Sequence, residues 1–504
     1  MTLDIPWLLF GSTFRLDAVA APLLAVASVL YAVAAVAIAF RRPALDRRGQ
    51  LLAFLGASYL GNVGVYLAAD IVTFYLAFAL MSFSAVGLVT HARTRQSHRA
   101  TGVYLVMTVL SETALLAGLW LTGAAGGRLI ADAPAAIAAS SHPGVIMALL
   151  IIGFGVKAGL VPLHVWLPLA HPAAPPAASA VLSGVMVKAG VIGWLLFLPP
   201  GLDALAWVLL VLSLAGAFAA PVIGILQTDP KVILAYSTIS QLGFLGAVIA
   251  AGMLIDAPVT AAVVIYAVHH GLAKGALFLG VPVWQAAAGA RRRVATAGLA
   301  WAGLALVGFP LTSGALAKYD AKDAVADHWV YLVLPLVATG SSLLLVRFAW
   351  ALRRMEDTPR RVDGEFLGWL VLCVAGVCLP FIYAHPALEP GTLWDMLWPL
   401  LIAVPLGWWW WRRGPAEAPV PVPAGDVVVI GERVLDSLRS TTVLERVHGV
   451  TGDAAKQWAR GWATTGEATE NAVEGIESRV RVWSLSGLVT VILLSALLAL
   501  GWWI

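Results

Sequence analysis

The sequence has 504 residues, of which 60% are hydrophobic and 12% are charged, and its mean hydropathy is +0.86. Such a chain is typical of a membrane protein with many spans and is too apolar for a soluble domain. The net charge of +4 lies in short loops, which argues against a nucleic-acid partner. Cys373 and Cys378 lie in one apolar stretch without metal-ligand neighbours. The chain also lacks a haem, iron–sulfur or flavin motif, so we expect no cofactor and no metal site.

About fourteen apolar spans are predicted, each long enough to cross roughly 30 Å of hydrocarbon. They run over residues 17–40, 51–67, 71–90, 101–122, 144–168, 176–198, 204–227, 231–254, 258–284, 294–325, 329–350, 364–384, 392–411 and 483–504. Arginine clusters follow the first, third, ninth, eleventh and thirteenth spans. By the positive-inside rule both termini then lie outside, and the fold class is an all-α polytopic membrane protein. No basic region precedes the first apolar run, so we expect no cleavable signal peptide.

The last part of the chain differs from the rest. Residues 414–425 form a Pro-rich linker, and residues 426–482 are too polar to span a membrane. Apolar residues recur there at near-helical spacing, which favours an amphipathic helix at the cytoplasmic surface, with a flexible linker as the alternative. Residues 483–504 are predicted to be a final anchor span.

One stretch, residues 144–198, combines apolar helices with features that membranes rarely tolerate. Lys157 and Lys188 each have about ten apolar residues on both sides. Prolines and two histidines lie between them: Pro162, His164, Pro168, His171, Pro172, Pro175 and Pro176. Proline breaks a helix and frees carbonyls, which is tolerated only beside protein or a water-filled cavity. A lysine at this depth is by default functional, with snorkelling from a helix end as the alternative.

Lysine and arginine are distributed differently in this chain. Arginine supplies nearly all of the loop charge, whereas most lysines lie within or at the ends of apolar spans. These lysines are Lys157, Lys188, Lys231, Lys274, Lys318 and Lys322. A buried lysine can release its proton near neutral pH, and arginine cannot. The distribution favours a proton relay; for Lys231, pairing with helix C-terminal carbonyls is a plausible structural alternative.

A second group of polar residues lies in the span over 258–284. Tyr266, His270 and Lys274 share one helix face at four-residue spacing, and His269 is adjacent. Histidine donates and accepts protons near neutral pH, so we interpret Tyr266–His270–Lys274 as a hydrogen-bonded conduit. A structural histidine is the alternative.

The following span, 294–325, repeats the arrangement of a break and a lysine. It is interrupted over residues 310–314 and then presents Lys318. Five spans separate the two breaks, so the two units should have opposite orientations in the membrane. Inverted repeats with paired broken helices are a known transporter design.

Four segments carry a resemblance to a known family. They are VKAGLVPLHVWLPLAHPAAPPAASAVLSGVMVKAG, LQTDPKVILAYSTISQLGF, HHGLAKGALFL and GFPLTSGALAKYD. Together they resemble the antiporter-like proton-translocating subunits of respiratory complex I, Mrp-type antiporters and membrane-bound hydrogenases. The wording HPAAP…SGVMVK is most similar to the large membrane subunit of hydrogenase-4 and formate hydrogenlyase. The resemblance covers about residues 15–350.

The resemblance implies a domain organisation and a set of relay residues. The domains are an N-terminal span (1–50), two inverted five-helix repeats (51–198 and 204–350), additional spans (351–413), the linker and amphipathic segment (414–482) and the anchor (483–504). The amphipathic segment and anchor are similar to the lateral helix of the most distal complex I pump subunit. The relay residues are Lys157, Lys188, His270, Lys274 and Lys318, with His164, His269, Tyr266 and Lys231 as further site residues.

The sequence departs from the family pattern at three places. The chain begins at what corresponds to the family's third helix. Ala79 stands where the family normally has a buried glutamate, and Leu169 replaces the acidic residue after Trp-Leu-Pro. Glu112, in the middle of the 101–122 span, is the remaining embedded carboxylate of the first repeat. We therefore expect Glu112 to pair with Lys157, with a protonated glutamate bonded to a carbonyl as the alternative.

These features predict a subunit of a larger complex in the bacterial inner membrane, in contact with lipid and with other membrane subunits. It would move protons, or exchange them for Na⁺, without a redox centre of its own. One alternative is a cation/proton antiporter subunit that is independent of electron transfer. The other is a non-conducting scaffold derived from a pump, which Ala79 favours and the retained lysines oppose.

Overall fold

The computed structural model describes residues 2–8, 11–41, 45–359, 363–382, 390–413, 422–425 and 429. The predicted amphipathic segment, apart from Val429, and the predicted anchor span lie outside these residues. Residues 1–429 form one compact unit, and the described part of it is mainly helical.

The helices follow one another with short connections. Up to the first lysine-bearing helix they are α1 (Ala20–Ala39), α2 (Arg48–Leu67), α3 (Ile71–Thr90), α4 (Arg95–Ala124), α5 (Ala133–Ala139) and α6 (Pro143–Ala158). The central helices are α7 (Trp166–Ala173), α8 (Pro176–Val181), α9 (Lys188–Phe197), α10 (Asp203–Gly224), α11 (Pro230–Ile255) and α12 (Thr260–Ala286). The remaining helices are α13 (Gly289–Val307), α14 (Ser313–Asp323), α15 (Val330–Val333), α16 (Leu336–Arg353), α17 (Asp363–Ile382) and α18 (Pro390–Arg413).

Among the described residues, nine helical segments are long and apolar enough to cross a membrane. They coincide with predicted spans, and shorter apolar helices include α6. The predicted count of fourteen and the predicted side of the termini stay predictions. The α8–α9 segment, α11 and α12 are the most enclosed, with 89%, 83% and 94% of their apolar windows buried. Because lipid-facing helices expose one side, these three form the centre of the bundle.

A small β-hairpin at the N-terminus was not predicted by the all-α interpretation. Strand β1 (Thr2–Ile5) pairs antiparallel with β2 (Ser12–Arg15). Asp70 holds this hairpin against the bundle: its carboxylate accepts from the Thr13 amide at 2.9 Å and from the Thr73 amide at 2.8 Å. The second contact caps the N-terminus of α3, which leaves Asp70 with two structural tasks.

The first predicted break is present but is shorter than the run of prolines indicated. Helix α6 ends at Gly159, whose φ of +72° favours glycine. Residues 160–165 are not α-helical, and α7 begins at Trp166. The Trp166 indole donates to the carbonyl of Val156 at 2.8 Å, so the second half-helix satisfies a carbonyl near the end of the first. Pro168 and Pro172 lie within α7 rather than in the break.

The second break lies where the sequence predicted it. Helix α13 ends at Gly308, with φ of +92°, and α14 starts at Ser313 after a Thr312 N-cap. A Cβ atom at Gly314 would lie 1.6 Å from the carbonyl oxygen of Ala305, so only glycine fits this approach of the two half-helices.

The α8–α9 span is not the regular helix that the sequence predicted. A π-helical turn, Leu182–Met186, separates its two α-helical parts. In a π-helical turn the backbone hydrogen bonds join residues five apart rather than four. Some carbonyl groups of this turn are therefore available to side chains. Tyr66 donates to the carbonyl of Val185 at 3.3 Å, and Lys188 donates to the carbonyl of Ser183 at 2.6 Å. Apolar periodicity gives no sign of this turn, because these contacts come from other parts of the fold.

Candidate functional site

Lys157 lies at the end of α6 among aromatic side chains. Its side chain is only 4% exposed, and its ammonium donates to the hydroxyl of Tyr104 at 3.2 Å. The same ammonium lies 5.8 Å from the ring centre of Phe78, 5.5 Å from that of Tyr104 and 6.0 Å from that of Trp166. A cavity of about 10 Å³ beside it, with Ser82 and Thr108 in its wall, has the minimum size for one water molecule.

Glu112 is buried on α4, the helix that packs against α6. It is 4% exposed, and neither carboxylate oxygen has a hydrogen-bond partner among the described residues. The carboxylate interacts electrostatically with the Lys157 ammonium and with Tyr75 and Tyr104. Glu112 therefore faces the protein interior rather than lipid, and the adjacent Ser111 lines the Lys157 cavity. No ion pair within 4 Å joins Glu112 and Lys157 among the described residues.

Lys188 is 1% exposed at the start of α9. Gly190 brings α9 close to α6, because a Cβ atom there would lie 2.4 Å from the carbonyl oxygen of Phe154 and 2.6 Å from the Ala158 amide. The two lysines therefore flank one close helix contact. The Lys188 ammonium itself bonds the Ser183 carbonyl of the π-helical turn.

Two hydroxyl groups join this turn to α11. The Ser183 and Thr238 hydroxyl oxygens are 2.8 Å apart, and Thr238 donates to the carbonyl of Leu234 at 2.9 Å. Lys274, which is fully buried on α12, donates to the same Leu234 carbonyl, also at 2.9 Å. The structure thus brings the predicted residues Lys188 and Lys274 to the two ends of one hydrogen-bonded group.

The predicted hydrogen-bonded conduit Tyr266–His270–Lys274 is not formed. The Tyr266 hydroxyl donates to the side-chain oxygen of Gln241. In the part of the chain that the structure describes, neither ring nitrogen of His270 has a hydrogen-bond partner. Four-residue spacing stacks the Tyr266 and His270 rings, with centres 6.3 Å apart and an angle of 24°. Stacked rings do not direct their polar edges at each other. Tyr266 and Lys274 instead bond groups on α11, the Gln241 side chain and the Leu234 carbonyl.

His269, rather than His270, contacts the second break. Its Nδ1 atom lies 2.9 Å from the hydroxyl of Ser313, the first residue of α14. A Cβ atom on Gly314 would lie 2.9 Å from the His269 ring. His269 therefore joins α12, a central helix of the bundle, to the second break.

Lys318 lies on α14 and reaches back across the break. Its ammonium donates to the carbonyl of Val307, the last residue of α13, at 2.9 Å. Lys318 is half-buried and lines a cavity of about 40 Å³. This volume holds at least one water molecule. Lys322 lines the same cavity, and its ammonium lies 3.8 Å from the ring centre of Tyr331.

Lys231 bonds carbonyl groups at a helix C-terminus, which is the structural alternative to a role in the relay. Its ammonium donates to the carbonyls of Ala174, at 2.6 Å, and Pro172, at 3.4 Å. These carbonyls end α7, where the helix dipole favours a cation. His171, on the same helix, is fully buried and stacks on Phe278 with ring centres 4.5 Å apart. His164 is buried in the break between α6 and α7.

Sequence reasoning missed several polar residues of this site. They are Tyr104, Ser183, Thr238, Gln241, Ser313 and Ser341. Each is one hydroxyl or amide within an apolar helix, and such residues usually bond their own backbone or pack between helices. A serine five residues before an embedded lysine was the only local sign, and it does not reveal a π-helical turn.

A family described as NADH:quinone oxidoreductase/Mrp antiporter, transmembrane, matches residues 68–341, more than half of the chain. The chain belongs to this family. That membership confirms the resemblance found in the sequence, and it places the chain among multi-pass membrane subunits related to complex I, Mrp and hydrogenase-4.

Curated relatives come from several kinds of complex. Hydrogenase-4 component B of Escherichia coli is 30% identical over 53% of this chain and 42% of its own length. The A/B subunit of a probable K⁺/H⁺ antiporter of Rhizobium meliloti is 30% identical over 72% of this chain and 37% of its own length. NADH-quinone oxidoreductase subunit N of Acinetobacter baumannii is 28% identical over 70% of this chain and 78% of its own length. The chain spans less than half the length of the first curated relatives it matches.

Two solved structures share the fold. The Mrp complex from Dietzia sp. DQ12-45-1b aligns with a TM-score of 0.66 at 20% identity, over 81% of this chain and 88% of that chain. The membrane-bound sulfane sulfur reductase, an archaeal respiratory membrane complex, aligns with a TM-score of 0.64 at 20% identity, over 93% and 91%. The likeness extends beyond the family match and covers most of the described helices.

Proposed function

We propose that this chain is a proton-translocating subunit of a multi-subunit membrane complex and that its buried lysines relay the protons. The observation that carries the proposal is the bonding of Lys157, Lys188 and Lys274. All three are almost completely buried, and their ammonium groups donate to neutral oxygen atoms. Fixed charges in such surroundings are costly, whereas groups that gain and lose a proton suit them.

The relay runs from the first break to the second. Lys157 exchanges protons with one side of the membrane, and Lys188 and Lys274 carry them laterally through the centre of the bundle. Lys318 releases them through the cavity that it lines. In this path His269 replaces the predicted His270, because His269 bonds Ser313 at the second break. Lys231 holds α7 in place and does not carry protons.

Two inverted repeats, 51–198 and 204–350, underlie this path. Support comes from matching local structure: Asp70 caps α3 as Asp229 caps α11, and a glycine of positive φ opens each break. Lys157 precedes the first break, whereas Lys318 follows the second. The two repeats therefore differ at the breaks, where each would exchange protons with its own side of the membrane.

Glu112 takes the part of the glutamate that Ala79 has replaced. Its carboxylate lies on α4, is buried, and interacts electrostatically with Lys157. Ser82, three residues after Ala79 on α3, lines the Lys157 cavity, as does Ser111, the neighbour of Glu112 on α4. A carboxylate delivered from α4 therefore reaches the region that a glutamate at position 79 would occupy.

Exchange of protons for a metal cation is the second candidate function. The antiporter protein of Rhizobium meliloti matches 72% of this chain, which is more than the hydrogenase component matches. In this case the same lysines carry the protons in one direction, and a partner subunit carries the metal cation in the other.

Inverted membrane vesicles from the source organism test these functions, with proton uptake followed by the quenching of an acridine dye. Quenching after NADH or hydrogen, lost on deletion of this chain and restored by its gene, supports coupling to electron transfer. A preformed pH gradient that collapses on addition of K⁺ or Na⁺, only when the chain is present, supports exchange. If the deletion changes neither signal, the chain is a scaffold and the proposal fails.

A further inference from the structure

We propose that the hydroxyl groups of Ser183 and Thr238 form a bridge that passes protons between Lys188 and Lys274. The inference rests on the proposed function, since a bridge has a task only if the lysines relay protons. Both residues are completely buried, and their oxygens lie 2.8 Å apart. Hydroxyl groups donate and accept at once, which carbonyl groups cannot do.

The direction of the hydrogen bonds fits a relay. Thr238 donates to the Leu234 carbonyl, so the hydrogen between the two hydroxyls belongs to Ser183. Lys274 donates to the same carbonyl, which holds its ammonium next to the Thr238 hydroxyl. At the other end, Lys188 bonds the carbonyl of Ser183 itself. Each lysine thus bonds a backbone carbonyl that adjoins the hydroxyl pair: the carbonyl of Ser183 itself, and the Leu234 carbonyl to which Thr238 donates.

A transfer through the bridge is balanced. Charged Lys188 first turns its ammonium from the carbonyl of Ser183 to the hydroxyl of the same residue. An N–H bond of Lys188 then breaks as an O–H bond forms on Ser183, and Ser183 passes its own hydrogen to Thr238. The Thr238 hydroxyl turns from the Leu234 carbonyl toward neutral Lys274, and its hydrogen moves to the Lys274 nitrogen. The hydroxyls then rotate about their Cβ–Oγ bonds to regain the first arrangement.

The π-helical turn explains why Ser183 can serve in this way. The wider turn leaves the Ser183 carbonyl available to Lys188, while its side chain faces α11. Tyr66 bonds the neighbouring Val185 carbonyl and steadies the turn from α2.

A set of substitutions on α11 tests the bridge in the assembled complex, in the vesicles described above. Thr238→Val keeps the shape of the side chain and removes the hydroxyl, whereas Thr238→Ser keeps the hydroxyl. Ser240→Ala is the matched control, because the Ser240 hydroxyl is equally buried and bonds the Ala217 carbonyl at 2.7 Å, away from the lysines.

We expect Thr238→Val to lower the proton flux per assembled complex by about tenfold or more. Thr238→Ser should keep most of the flux, and Ser240→Ala should leave it unchanged. Full flux in Thr238→Val overturns the bridge, and so does an equal loss in Ser240→Ala, which points to helix packing. If the flux depends on Lys157 but not on Thr238, the bridge is wrong and the proposed function stands. A parent complex without any flux overturns the proposed function as well.

Discussion

The ammonium of Lys157 donates a hydrogen bond to the hydroxyl of Tyr104 at 3.2 Å, inside an aromatic pocket. This hydrogen-bond partner is a neutral hydroxyl, so Lys157 can lose its proton without breaking a hydrogen bond to an anion. Arginine keeps its charge at any pH of interest, so Lys157→Arg tests whether deprotonation is needed. We expect both Lys157→Arg and Lys157→Ala to abolish proton flux in vesicles.

The complex should still assemble in both variants, which blue native electrophoresis measures. Full flux in Lys157→Arg would show that only the positive charge matters and would exclude Lys157 from the relay.

Lys318 provides the second prediction. Lys318→Met keeps the length of the side chain but removes the donor that bonds Val307 across the break. We expect proton flux to fall by about tenfold or more with Lys157 intact, because the exit group is lost. Lys322→Met is the matched control: Lys322 lines the same cavity but contacts an aromatic ring. Wild-type flux in Lys318→Met would support a scaffold or a one-sided path.

The Glu112 assignment gives a third prediction. Glu112→Gln removes the charge that interacts with Lys157 at nearly constant volume, so proton flux should decrease. Ala79→Glu, made in the Glu112→Gln background, should restore part of it. Thr113→Val, on the exposed side of the same helix, is the control and should have no effect. A Glu112→Gln variant with normal flux would contradict the assignment.

The two adjacent histidines give a fourth prediction. Of the two, His269 bonds Ser313 at the second break, whereas the ring nitrogens of His270 have no hydrogen-bond partner among the described residues. We therefore expect His269→Phe to lower the proton flux more than His270→Phe does. The reverse order would favour the conduit that the sequence predicted over the contacts in the structure.

The fit at Gly314 gives a prediction about assembly rather than transport. Gly314→Ala places a methyl group against the Ala305 carbonyl, and overpacking of this kind costs about 1–3 kcal/mol. We expect less assembled protein in the membrane, measured by immunoblot after mild detergent extraction. Gly102→Ala is the control, since a Cβ atom there meets no heavy atom within 4 Å. Equal amounts of both variants would contradict the close approach of the half-helices.

The sequence by itself determined the membrane class, the family and the placement of both breaks. Long apolar runs must be helical in lipid, because each backbone amide needs a partner within its own segment. Embedded lysines are rare enough to be informative on their own. The order of the amino acids alone therefore identifies the lysines that lie within apolar helices: Lys157, Lys188, Lys274 and Lys318.

The tertiary structure decided which groups these lysines touch. A hydrogen bond between helices depends on rotation and depth of each helix, and apolar periodicity fixes neither when a helix is buried on all sides. For this reason the sequence joined Tyr266 to His270, which share a helix face, whereas the structure joins Tyr266 to Gln241 and His269 to Ser313. The π-helical turn at Ser183 has the same origin, since Tyr66 and Lys188 bond the carbonyls that it leaves available.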